Sequence, residues 1–328
     1  MKMIFTTEIQ IPPFDFKISH QDKIMMMGSC FAENIAEKMQ SAGFRAYTNP
    51  FGILYNPASI SKNIQTIFRS KKYAVSDLFE YQGLYHSFDH HGKFSGSSAE
   101  NVVDRINKEI EEAKDYLQDA SVLIITFGTA FTYFLKSNVS KILNVPNILE
   151  VVSNCHKLPE KTFNRRRLNI NEIVEDWKSL INLLKQYNPE LKLIFTVSPI
   201  RHWKDGAHEN QLSKSTLLLA IDELIKQYTH CYYFPSYEIM MDELRDYRFY
   251  ADDMLHPSDL AVEYIWEKFS HAFFEKKTVV LLNEWMKIRQ ALGHKPFNPE
   301  SEQYKSFQSQ TQIKLKEFLN KNKEFIIP

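Results

Sequence analysis

Short apolar runs alternate with amphipathic stretches along most of this chain. The runs at 23–28, 44–47, 122–127, 193–197 and 231–234 are bounded by turn or polar residues and are too short for helices, so each predicts a strand. Between them the apolar positions recur at helical spacing, as at Val102, Val103, Ile106 and Ile110 behind Ser98. Further helices are predicted at 31–40, 57–68, 170–187, 212–228 and 257–274, the last with Pro257 in its first turn, where no N–H is needed. Gly43 and Asn188-Pro189 supply stops. Strands alternating with helices in this way predict a three-layer α/β/α, flavodoxin-like arrangement around a five-stranded parallel sheet.

Two segments break the alternation. Residues 78–95, turning near Gly83, predict an inserted hairpin, and the β-prone runs at 131–135 and 141–145 predict a second. From 276 the pattern becomes helical only, at 279–291 and 303–319, with 293–299 between them. The chain is therefore expected to divide into a domain at 1–275 and a C-terminal helical extension at 276–328. That extension is expected to dock onto the domain or onto a second copy of the chain, making a homo-oligomer through these helices.

Composition narrows the partners. The 328 residues, 44% hydrophobic and 24% charged, suffice for a sizeable core. Lys and Arg number 40, as do Asp and Glu, so no global charge points to nucleic acid or to an anionic membrane. The triplet Arg165-Arg166-Arg167 reads as a solvated approach to the following helix. Cys30, Cys155 and Cys231 are widely spaced and form no Cys-x-x-Cys pair, which argues against a disulfide framework or a zinc site. With no continuous apolar stretch of roughly 18 residues and no signal-like N-terminus, a cytoplasmic location is expected.

The chemistry concentrates at two places. Gly28-Ser29-Cys30-Phe31 sits between a predicted strand and a predicted helix, a turn that presents a nucleophile at the carboxyl edge of a parallel sheet. The N–H groups opening the helix can stabilise an oxyanion or a thiolate there. Far downstream, Asp253-Met254-Leu255-His256 supplies an acid and a base in the order that a nucleophile–His–Asp system needs. No second ligand cluster accompanies Asn154-Cys155-His156, so neither a metal nor a cofactor is expected.

Gly28-Ser29-Cys30-Phe31-Ala32 resembles the signature of the GSCFA family, a group placed with the SGNH/GDSL-type hydrolases. Asn49-Pro50-Phe51-Gly52, Phe127-Gly128-Thr129, Asn154-Cys155-His156-Lys157, Ser198-Pro199-Ile200-Arg201-His202 and Asp253 to Pro257 look like its later blocks, in order. The resemblance implies an SGNH-type fold. In its Gly-Asp-Ser-Leu motif the nucleophile is the third residue, which points to Cys30, whereas the superfamily's serine points to Ser29. His256 then matches the general base and Asp253 the acid that orients it. The superfamily's oxyanion glycine falls on Gly52, but Gly128-Thr129-Ala130 has alanine where the oxyanion asparagine is expected. Gly128, Thr129, Asn154 and His156 are the candidates to fill that side, and Arg201 and His202 the candidates to bind substrate.

The expected activity is acyl transfer through an acyl-enzyme, as an esterase or an O-acyltransferase. The expected substrate is a small acyl ester or thioester, with a glycan precursor as acceptor. The alternative is a ligand-binding module on the same scaffold, without catalysis.

Overall fold

The computed structural model describes residues 7–136, 139 and 151–327. Five parallel strands form the central sheet: β1 (Lys23–Gly28), β2 (Arg45–Thr48), β5 (Val122–Phe127), β9 (Lys192–Val197) and β10 (Cys231–Phe234), in the order β2-β1-β5-β9-β10. The sheet is buried on both faces because alternate strand residues feed two cores. Met25 and Met27 of β1 join Leu123, Ile125, Phe127 and Phe195 in one core. Ile24 and Met26 join Val122, Ile124 and Ile194 in the other.

The first core is closed by α2 (Pro57–Arg69), α3 (Ala99–Gln118), α4 (Ile170–Tyr187) and α5 (Gly206–Gln227). The second is closed by α1 (Cys30–Ser41) and α6 (Asp259–Phe273). Local chemistry fixes several of these ends. Asn56, Ser98 and Asn169 cap α2, α3 and α4, each accepting a backbone N–H of the first turn. Gly43 follows α1 at φ 82°, where its N–H donates to the carbonyl of Gln40.

The insertions are as much about placement as about strands. β3 (Phe79–Tyr81) and β4 (Leu84–His86) form the first hairpin, turning at Gln82 and Gly83, both with positive φ. The second insertion is a three-stranded antiparallel sheet, with β6 (Phe131–Leu135) between β7 (Val151–Val152) and β8 (Phe163–Arg167). The strand expected at 141–145 lies outside the described residues.

Three expectations need correction. Arg165-Arg166-Arg167 is the end of β8, not a helix approach; its side chains stay solvated while its backbone pairs with β6. Pro257 lies before the helix, bridging to Tyr250, and Ser258 caps α6 instead. The helix expected from 212 begins at Gly206.

At the C-terminus α7 (Lys276–Leu292) and α8 (Glu302–Lys321) pack around Trp285, Phe318 and Phe325. The Trp285 indole donates to the carbonyl of Ser41, and Phe325 lies against Gly43, so this layer rests on the end of α1.

Candidate active site

The order β2-β1-β5-β9-β10 places the switch in strand order between β1 and β5, and the loops leaving their carboxyl ends border one crevice. A cavity of about 490 Å³ opens there, lined among others by Ser29, Cys30, Thr129, Asn154, Arg201, His202 and His256. A larger concavity of about 730 Å³, beside α2 and α4, is lined among the described residues by no cysteine or histidine.

Cys30 is held by a turn that only glycine permits. Gly28 has φ 143°, and a Cβ there would sit 2.2 Å from the carbonyl oxygen of Thr126. Asn49 braces the turn by accepting the Gly28 N–H at 2.8 Å. Cys30 is half-buried and is the first residue of α1. Burial pushes its thiol up; the N–H groups of Cys30 and Phe31 and the charge of Lys214 work against that, and Glu33 with it. Burial is the largest of these effects, so the thiol lies above its ordinary range even though the N–H groups opening the helix favour the thiolate. Ser29 Oγ is buried beside it and has no hydrogen-bond partner among the described residues.

His256 reaches the same cavity from the loop before α6. Asp253 Oδ1 accepts the N–H groups of Leu255 and His256 at 2.9 Å each, and Oδ2 lies 2.5 Å from His256 Nδ1. Those N–H groups and the imidazole hold the Asp253 carboxyl at about 2. An ionised carboxylate can only accept, so Nδ1 carries the proton and Nε2 is left as the acceptor. No hydrogen bond joins His256 to Cys30 or Ser29 among the described residues, although all three line one cavity.

The expected oxyanion donors fare unevenly. The Gly52 N–H donates to the carbonyl of Asn49 at 2.7 Å, and Gly52 does not line the cavity. The N–H groups of Gly128 and Thr129 both go to the carbonyl of Tyr55. The Thr129 hydroxyl faces Ser213 Oγ at 3.0 Å and accepts from Phe131 N. His156 is turned into the inserted layer, with Nε2 2.7 Å from the carbonyl of Ser87, and is absent from the cavity wall. Gly52, Gly128 and His156 thus hold the loops together. Asn154 lines the cavity with its carbonyl oxygen bound to His156 N and its amide nitrogen unengaged among the described residues.

His202 packs edge-on against Tyr55, and burial, then the charges of Lys214, Arg165 and His256, bring it down to about 4, so it is neutral. Arg201 makes no ion pair among the described residues. Its Nε is buried without a partner and its guanidinium lies 5.1 Å from the Trp203 ring.

Sequence reasoning missed two residues. Lys214 of α5 is fully buried beneath the cavity, donating to the carbonyls of Gly128 at 2.8 Å and Ser198 at 2.7 Å. Burial and then Arg201 bring it down to about 7, with Cys30 opposing. Its only sequence signal is a lysine on the apolar face of a helix, beside Leu217 and Ile221. Ser153, whose buried Oγ has no partner among the described residues, also lines the cavity. No group of His, Cys, Asp or Glu among the described residues is arranged to hold a metal ion, and no described helix is long and apolar enough to cross a membrane.

A parallel sheet with a thiol at a strand-to-helix turn and an Asp–His pair on the same crevice defines an α/β/α sandwich that brings a thiol, an imidazole and a carboxylate to one cavity. The chain belongs to the GSCFA family: residues 23–269 match the GSCFA family, and residues 285–325 match the GSCFA domain protein, C-terminal domain. No curated protein matches the sequence. Among solved structures it is similar to a Clostridium thermocellum family 3 carbohydrate esterase, at 10% identity and a TM-score of 0.36, covering 80% of this chain and 97% of that one. A carbohydrate esterase family 3 protein from Talaromyces cellulolyticus gives 11% and 0.35, covering 80% and 99%. An acetyl xylan esterase from Butyrivibrio proteoclasticus gives 10% and 0.36, covering 84% and 67%.

Proposed function

We propose that this protein transfers acyl groups through an acyl-enzyme on Cys30. The observation that carries the reading is that Cys30 and the Asp253-held His256, distant in sequence, line one cavity. In this reading the Cys30 sulfur attacks the carbonyl carbon of an ester or thioester while His256 Nε2 accepts the thiol proton. The tetrahedral oxyanion is met by the N–H groups of Cys30 and Phe31 at the start of α1 and by the Asn154 amide. Its collapse breaks the bond to the leaving group, which takes the proton back from the imidazolium. Water or an acceptor hydroxyl then attacks the thioester, passing its proton to His256, and the departing thiolate recovers that proton. Asp253 holds the tautomer throughout.

Thioester acyl-enzymes are activated toward alcohols, which favours transfer to a sugar hydroxyl over hydrolysis. Ser29 is the alternative nucleophile, and its unpartnered buried Oγ supports keeping it in view. A ligand-binding module without catalysis is the second reading, favoured by the engagement of both glycine N–H groups elsewhere.

Intact mass after incubation with 4-nitrophenyl acetate separates these. An acetyl adduct lost in Cys30→Ala and kept in Ser29→Ala supports the thiol; the reverse assigns the serine. No adduct on either, with no turnover, leaves the binding module.

A further inference from the structure

Among the described residues the other permanently charged side chains lining the cavity, Arg165, Lys204 and Asp205, have opposite partners: Arg165 meets Asp205 at 2.5 Å and Lys204 pairs with Glu160. Arg201 does not. Among the described residues no carboxylate lies within ion-pair distance of it and no hydrogen bond engages its guanidinium, whose Nε is nonetheless buried. Its neighbours are the Trp203 ring and the phenols of Tyr237 and Tyr250.

A second basic group, Lys214, feels the charge of Arg201 and likewise has no carboxylate partner among the described residues. Lys214 is fully buried, and its two acceptors are neutral carbonyl oxygens. The charged and titratable groups facing it are Arg201, Cys30, His202 and Tyr237, and none is a carboxylate. Two cations that repel each other, one wholly buried and one partly so, are costly to fold without a counterion. Such an arrangement at a cavity is what a site for an anion requires of its empty state. Planarity and a five-donor fork suit Arg201 to a carboxylate or a phosphate, and its guanidinium lies 5.1 Å from the Trp203 ring centroid, in cation–π range.

Arg201 lies on the loop after β9 and Cys30 at the turn after β1, strands that stand about two spacings, roughly 10 Å, apart across β5, and both residues line the one cavity. A cavity of about 490 Å³ with both residues on its wall has room for a small anionic ester or thioester.

We propose that the cavity takes an anionic ester or thioester whose carboxylate or phosphate seats on Arg201, with Lys214 as the second basic group. The placement of the acyl carbonyl at Cys30 rests on the acyl-transfer reading; the anion site does not. The carboxylate belongs to a dicarboxylic acyl group, the phosphate to the leaving group or acceptor.

Binding is tested without turnover, by the rate at which iodoacetamide, a neutral reagent, alkylates Cys30, read by intact mass. Millimolar sodium succinate or inorganic phosphate should slow alkylation several-fold relative to sodium chloride of equal ionic strength, and neutral succinamide should not. Whichever anion protects better identifies the source. Protection should weaken roughly 10- to 100-fold in affinity in Arg201→Gln and partly return in Arg201→Lys. Lys204→Gln removes a paired cation from the same wall and should leave protection unchanged. In turnover, kcat/KM for 4-nitrophenyl hemisuccinate or acetyl phosphate should exceed that for 4-nitrophenyl acetate, and the ratio should collapse in Arg201→Gln. No protection by either anion in the wild type, or equal protection in Arg201→Gln, overturns the anion site. Anion protection with no turnover of any ester leaves the site standing and defeats the acyl-transfer reading alone.

Discussion

Replacing Lys214 by methionine should make the stability of this protein less dependent on pH. The wild-type lysine falls from 10.5 to about 7 on folding, chiefly because burial disfavours the ammonium. Between those values the folded chain binds fewer protons than the unfolded chain, so stability rises with pH across that window. The full displacement is worth about 5 kcal/mol, of which about 2 kcal/mol should be recovered between pH 7 and pH 9. Against a total stability of about 5–15 kcal/mol, that is a large share. Methionine has similar length and no charge, so Lys214→Met removes this dependence. It also leaves the carbonyls of Gly128 and Ser198 without their donor, a cost of about 1–3 kcal/mol each that does not vary with pH. Urea unfolding of both proteins at pH 6, 7, 8 and 9 gives the difference directly. The wild type should gain on the variant by up to about 1.4 kcal/mol per pH unit above pH 7. The Cys30 thiol, raised in the folded state, works in the opposite direction toward pH 9, but it is present in both proteins and largely subtracts. A difference that stays flat from pH 6 to pH 9 would show that Lys214 is not a desolvated ammonium, and the charge argument for the anion site would lose one of its two cations.

Other outcomes follow from single contacts. Asp253→Asn removes the carboxylate that fixes the His256 tautomer, and kcat on a short-chain ester should fall about 10²- to 10⁴-fold, with wild-type turnover counting against the triad. Because Asp253 is held at about 2, its ionised form and the turn it closes should persist until pH falls toward that value; a His256 ring NMR signal that loses its Asp253 signature already near pH 5 contradicts this. Gly28→Ala should destabilise the fold by more than about 3 kcal/mol, since its Cβ meets the Thr126 backbone at a φ that alanine avoids; a circular-dichroism melt close to wild type would refute the strain. Phe325→Ala empties the contact between the C-terminal segment and Gly43, and a loss of about 3 kcal/mol together with faster proteolysis near 322–327 is expected.

Much of the fold was readable before any coordinates. The five strands and α4 appear where the alternation of apolar runs and helical spacing puts them, because a sheet buried on both faces writes continuous apolar runs into the sequence. The boundaries at Pro257 and Gly206, and the strand role of Arg165-Arg166-Arg167, were not readable. Each depends on what the segment pairs with: Tyr250 for Pro257, and β6 for the three arginines, whose backbone rather than whose side chains makes the contact.

The sequence by itself determined the family, the turn at Gly28 and the local Asp253–His256 pair, since a strand-to-helix turn and an Asp-x-x-His loop are set by neighbours in the chain. Only the tertiary structure decided which donors remain free. Gly52, Gly128 and His156 carry suitable groups, yet their hydrogen bonds are spent on Asn49, Tyr55 and Ser87, partners that no spacing rule names. The same holds for the charges. Arg201 is a substrate-binding candidate from its place after β9 and Lys214 looks like any helical lysine, but that the two face each other with no carboxylate partner among the described residues is set only by how the loop after β9 and α5 pack. Hydrogen bonds and ion pairs act across a few ångströms, whereas Arg201 and Lys214 lie more than a hundred residues from Cys30 along the chain, so their balance is fixed only once the chain has folded.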